Sequence, residues 1–176
     1  MSKILLLFIS LTFSIMARAD FLFTGALESR LEQGMDQNTQ PQLYYDFSGD
    51  YKFQAYSFGI EYFHSQPEST GQQSLNLTRN RQGFWATASW ETGPWGFVSP
   101  YVRGGLGEFA DTVTTTLLSV SSTEISRTYL CGFGGLGLRW NYLTTIFVAL
   151  EARLIFGENQ NPQPSPSGLL RLGFSF

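Results

Sequence analysis

One histidine, His64, and one cysteine, Cys131, are the chain's whole supply of imidazole and thiol. A His/Cys metal centre needs several such ligands, and a disulfide framework needs paired cysteines, so both are excluded. A nucleophile–base–acid triad would have to be built around His64. The nearest residues of the right types, Glu61 and Ser65, lie an odd number of positions away. In an extended segment that spacing sends side chains to opposite faces, so no triad assembles there. His64 reads instead as a polar residue where a strand meets its connection. Gly132, Gly134 and Gly137 spell G-x-G-x-x-G. A dinucleotide site needs a strand before that motif and a helix after it, whereas here it lies inside an alternating segment. These glycines read as space for large lumen side chains or as sites of tight strand curvature. No cofactor and no metal are expected.

The most informative constellation is ionic. Glu28, Asp46, Glu61 and Glu151 share one face of alternating segments with Arg30, Arg103, Arg139, Arg153 and Arg171. Guanidinium is permanently charged and bonds carboxylates two at a time. An unpaired buried charge costs several kcal/mol, so these groups must be paired wherever they are enclosed. Their chemistry is then either a static polar filling or a rearrangeable ion-pair gate in a narrow pore. General acid–base work is set aside, because no substrate pocket is implied.

The elements that must position these groups are strands. Helical periodicity is almost absent, and period-two alternation recurs in eight segments. They centre on Phe21–Glu32, Leu43–Ser48, Tyr56–Tyr62, Phe84–Trp90, Val98–Gly107, Leu130–Trp140, Val148–Phe156 and Leu170–Phe176. Ser48-Gly49-Asp50, Thr92-Gly93-Pro94 and Asn141-Tyr142 mark short connections, and residues 33–42, 66–82, 111–127 and 157–168 mark long ones. An even number of strands, with short turns at one end and long loops at the other, is the pattern of an antiparallel transmembrane β-barrel. The reason is closure: lipid offers no partner to a free sheet edge. One face is Phe, Leu, Val, Ala, Tyr and Trp, to meet lipid, and the charged face would meet a lumen that side chains fill. Trp90, Trp95, Trp140 and Tyr142 fall beside the short turns, where an interfacial aromatic girdle would lie. Residues 111–127 hold β-prone runs and read either as a surface loop or as strand continuations forming a protruding hairpin, whose edge could add a partner strand. A ten-stranded barrel using that hairpin is the further alternative.

Composition agrees. Charged residues are 14% of the chain, against about 25% in soluble domains. Aromatics reach 16%. The acidic balance and the lack of any basic run exclude nucleic acid as a partner. At the N-terminus, Lys3 precedes an apolar run from Ile4 to Met16, and Ala17-Arg18-Ala19 is a small-x-small cleavage pattern. Residues 1–19 therefore read as a cleaved signal peptide and 20–176 as a single barrel domain. Losing Lys3 and Arg18 with the leader takes the formal charge from −3 to −5. No later run is long enough for a transmembrane helix.

The last segment, Leu170-Arg171-Leu172-Gly173-Phe174-Ser175-Phe176, resembles the assembly signal of bacterial outer-membrane proteins, with apolar Leu170, Leu172 and Phe174 alternating toward a terminal Phe176. Pro100-Tyr101-Val102-Arg103-Gly104-Gly105-Leu106-Gly107 is similar to a strand motif of small OmpA/OmpX-like barrels, and Gly132–Gly137 is similar in style. The resemblance implies insertion by the outer-membrane assembly machinery, periplasmic termini and short turns, extracellular long loops, and surrounding lipopolysaccharide. Some barrels of this size are lipid A deacylases that place a serine two residues after the histidine; Gln66 stands there. The expected protein is a monomeric surface component with a plugged polar lumen and a candidate extracellular ligand on its long loops, not an enzyme. A narrow channel and a lipid A-modifying enzyme are the alternatives.

Overall fold

The computed structural model describes residues 19–33, 38–72, 75–95, 97–117, 120–142, 145–157 and 164–176. The expected signal peptide lies outside them, apart from Ala19. Among the described residues there are nine strands: β1 Ala19–Gln33, β2 Thr39–Phe53, β3 Tyr56–Ser65, β4 Glu68–Gln72, β5 Leu75–Glu91, β6 Val98–Leu117, β7 Val120–Asn141, β8 Ile146–Phe156 and β9 Ser165–Ser175. Every pairing is antiparallel. Two of them close the sheet on itself. β1 meets β9 from Leu22↔Ser175 to Arg30↔Ser167, and β3 meets β5 from Tyr56↔Trp90 to His64↔Gln82. The wall is thus eight-stranded, and β4 is a short strand lying on β5 above it.

Two connections differ from the sequence reading, and a third resolves an alternative that it left open. Ser48-Gly49-Asp50 is not a turn: β2 continues to Phe53 and reverses at Gln54-Ala55, where Gln54 has φ of 56°. Alternation carries through the glycine, so Ser48 and Asp50 both face inward. The described residues of 66–82 are not a loop but largely strand, β4 and the start of β5, and those of 111–127 take the strand-continuation alternative, a protruding hairpin. β4, β5, β6 and β7 rise past the wall as a four-stranded outer sheet. Hydroxyl pairs Ser69–Thr78 at 3.2 Å, Thr114–Thr123 at 3.3 Å and Thr116–Ser121 at 3.2 Å run across one of its faces. Such Ser/Thr cross-strand pairs stabilise a ladder that carries little apolar burial.

Outward-facing Phe23, Phe47, Phe58, Ile60, Leu106 and Leu172 are all more than half exposed to the surroundings. This inverted surface, apolar outside and charged inside, is that of a chain built for lipid. Inside, four aromatic residues lie directly opposite a glycine in the ladder: Phe63↔Gly83, Phe133↔Gly105, Tyr101↔Gly137 and Phe147↔Gly173. Each ring covers its glycine so closely that a β-carbon would collide. At Gly137 the collision would be with Tyr101 Cζ at 2.3 Å, whereas at outward-facing Gly134 an added β-carbon meets nothing within 4 Å.

Gly137→Ala should therefore destabilise the barrel by about 1–3 kcal/mol, the usual effect of overpacking. Gly134→Ala should leave it unchanged. Urea midpoints of the refolded protein, followed by heat-modifiable gel mobility, separate the two.

Candidate functional site

The lumen is filled in tiers. At the short-turn end, Lys52 Nζ and Arg139 Nη1 both bond Glu91 Oε2, at 2.7 and 2.6 Å. Arg139 also lies over the Phe147 ring, 4.5 Å from its centroid. Arg139 is thereby separated from the other arginines grouped with it by sequence, and its partner Glu91 and the neighbouring Lys52 were not among those residues.

The central tier is built on Glu61, contributed by β3 and fully buried. It accepts Arg153 Nη1 at 2.6 Å and Nη2 at 3.1 Å from β8, and Arg171 Nη2 at 2.7 Å from β9. Arg103 Nη2 of β6 approaches to 3.3 Å. Glu151 accepts from Arg153 Nε, from Arg171 Nε at 3.1 Å and from the Tyr101 hydroxyl at 2.9 Å. Asp50, hidden in the sequence by its turn-like context, receives Arg103 Nη2 at 3.0 Å, the Thr87 hydroxyl at 3.1 Å and the Ser48 hydroxyl at 2.9 Å. Arg30 Nη2 donates to Glu28 Oε2 at 2.7 Å. Asp46 differs from the rest. It is 1% exposed, neither oxygen takes a hydrogen bond, and its ion contact is Arg153 Nη1 at 3.9 Å.

Above these charges lies an aromatic tier. Tyr44, Phe63, Trp85 and Phe109 are fully buried and pack with Cys131, Phe133 and Ile155. Phe63 stacks on Trp85 at 5.1 Å, and Trp85 meets Phe133 edge-on at 5.2 Å. Arg30 joins the tiers: its guanidinium sits 3.9 Å from the Tyr44 centroid and 4.5 Å from that of Phe63. Cation–π contact of this kind suits a desolvated arginine whose hydrogen bonds point elsewhere. Toward the long-loop end a third set of charges follows. Tyr44 donates to Glu32 at 2.7 Å, Glu32 also pairs with Arg81, and Arg79 Nε bonds Asp111 Oδ1 and Oδ2 at 2.9 and 2.8 Å. The alternation of β1 pointed to Glu32, but Arg79 and Arg81 lay in a segment that read as a loop and Asp111 at the start of one left open between loop and hairpin.

The remaining candidates are placed as follows. His64 faces outward while Glu61 and Ser65 face the lumen, so no triad is assembled. Gly132 and Gly134 are outward and Gly137 inward, in mid-strand. Trp90, Trp95, Trp140 and Tyr142 gather at the short-turn end, with Trp90, Trp95 and Tyr142 well exposed. Leu170, Leu172 and Phe174 face outward from β9, as does Phe176 just after it, and Phe176 exchanges two backbone hydrogen bonds with Phe21. Among the described residues no group of three or more His, Cys, Asp or Glu could hold a metal ion.

Glu61→Gln takes one carboxylate partner from three guanidiniums at once, leaving Glu151 to Arg153 and Arg171 and Asp50 to Arg103, and should cost about 3–5 kcal/mol, the range for breaking a buried pair from one side. Asp46→Asn removes a carboxylate that holds no hydrogen bond and should cost nothing, or stabilise. Urea unfolding of the two variants refolded in lipid vesicles checks the contrast.

No protein-family model matches the chain, and neither does any curated protein. Solved structures do match. Neisserial surface protein A superposes with a TM-score of 0.57 at 13% identity, over 89% of this chain and 95% of that one. Ail, the attachment invasion locus protein of Yersinia pestis, solved with the heparin analogue sucrose octasulfate, gives 0.61 at 13% identity, over 90% and 98%. At that identity the likeness is one of fold, and it spans nearly the full length of both partners. The chain has the closed eight-stranded fold of the small OmpA/OmpX-like outer-membrane barrels.

Proposed function

We propose that this chain is an integral outer-membrane barrel that acts as a surface-interaction protein through its outer sheet, with a lumen that is plugged rather than conducting. The observation that carries this reading is the aromatic tier. Tyr44, Phe63, Trp85, Phe109 and Phe133 meet across the lumen, all at most 5% exposed, with paired charges packed on both sides. An eight-stranded barrel is only wide enough for side chains, and here they fill it. The chain nevertheless extends four strands beyond this plug, and elements that long are functional more often than connective.

In this reading the short turns and termini are periplasmic and residues 1–19 are a cleaved leader. The outward row Leu170, Leu172, Phe174 and Phe176 is what the outer-membrane assembly machinery engages. Trp90, Trp95, Trp140 and Tyr142 anchor the inner interface, and lipopolysaccharide surrounds the outer one. The described cations of the outer sheet, Arg79 and Arg81, are committed to Asp111 and Glu32. An uncharged or protein partner fits the Ser/Thr/Asn face. The lipid A-modifying alternative lacks an assembled catalytic set.

The test combines two measurements. Refolded protein in planar bilayers should be silent; discrete conductance steps altered by Arg153→Ala would replace this reading with the channel. Replacing residues 70–77 and 113–122 with short turns should preserve heat-modifiable mobility. The same change should abolish adhesion conferred on a non-adherent bacterium.

A further inference from the structure

The outer sheet is joined to the wall across a single line of irregularity. On one flank, β3 pairs regularly with β5 as far as His64↔Gln82, and β4 resumes at Glu68↔Arg79. Ser65, Gln66 and Pro67 therefore stand against Asn80 and Arg81, one residue too many. Proline supplies no ladder donor there. On the other flank the β6–β7 register shifts between Asp111 and Thr112. The intervening β5–β6 ladder is unbroken and pairs Arg81 with Asp111 and Asn80 with Thr112, which places both irregularities at the same height. Bulges bend and twist the strand that carries them. Two at one level, on either side of one continuous strand pair, make a bending line.

Ion pairs cross that line. Arg79, just above it, grips Asp111 on it. Arg81, also on it, reaches across the mouth of the lumen to Glu32 of β1 and lies 3.9 Å from Asp111 Oδ2. Glu32 is fixed in turn by Tyr44 of the aromatic tier at 2.7 Å. A second tie runs from β2, where Gln40 Nε2 donates to Glu68 Oε1 of β4 at 2.9 Å. Arg81 and Glu32 are nearly solvent-free, so neither water nor salt competes strongly for them.

We infer that the outer sheet is a hinged arm, bending at the row of Asn80 and Thr112, and that the chain Glu32–Arg81–Asp111–Arg79 is the latch that sets its angle to the barrel. The arm follows from the strand register and the latch from the side chains, and neither depends on what the sheet binds. The adhesion assay above can therefore fail while this inference stands, and the reverse.

The test is a distance between spin labels on exposed sites, Ser121→Cys on the arm and Phe156→Cys at the long-loop end of the neighbouring wall strand β8, with protein refolded in lipid nanodiscs. Cys131 is buried and stays unlabelled. The parent should give one narrow distance by double electron–electron resonance. Asp111→Asn and Arg81→Gln should each lose that single peak to a broader or displaced distribution while heat-modifiable mobility reports an intact barrel. If either variant fails to fold, Arg79→Gln, at a more exposed position, should give the same loss. An unchanged narrow peak in the folded variants, or a broad distribution already in the parent, overturns the latch.

Discussion

Closure of the sheet is the constraint on which the rest depends. Once β1 pairs with β9 and β3 with β5, no wall strand keeps a free edge, and the backbone of the apolar belt finds its ladder partners within the protein. That permits the exterior to be Phe, Leu and Ile. It also dictates the interior. With eight strands the enclosed volume admits side chains and little else, so each inward residue must find its partner among other inward residues.

The tiers are the solution to that packing problem. Charges are concentrated near Glu61, which gathers arginines from three different strands, and aromatic rings close the space above them. The rings fit because glycines stand opposite them, and the same device serves Arg153, which lies directly across from Gly135. Arg30 belongs to both chemistries, with one face on Glu28 and its plane against Tyr44 and Phe63. The polar and aromatic halves of the lumen are thus one packed unit.

Much of this was legible in period-two alternation. It located all eight wall strands, sorted Glu28, Arg30, Asp46, Glu61, Arg103, Arg139, Glu151, Arg153 and Arg171 onto the inward face, and kept His64 apart from Glu61 and Ser65. What it could not supply was register. Whether Arg139 meets Glu91 or Glu151 depends on how strands slide past one another, and alternation is blind to shifts of two residues. Local composition misled at Asp50, where a glycine between small polar residues looked like a turn, and at 66–82, where polarity looked like loop, and it left 111–127 open between loop and hairpin. Those segments are polar because both of their faces leave the apolar belt, and their strands are sustained by hydroxyl pairing and by the β5–β6 ladder, which lies outside any local window.

The sequence separation of the central pairs has a consequence for assembly. Glu61 and Arg153 are 92 residues apart, and Arg171 reaches Thr24 across 147. A partly inserted sheet of the first three strands would carry Glu28, Glu32, Asp46, Asp50 and Glu61 with only Arg30 and Lys52 to balance them, while the other guanidiniums were still to come. In a membrane such an intermediate exposes unbalanced charge as well as an open edge. Insertion strand by strand is accordingly disfavoured, and the transition state must gather both ends of the chain before much of the interior is neutralised. That is high contact order in its most demanding form, and it makes folding slow and all-or-none.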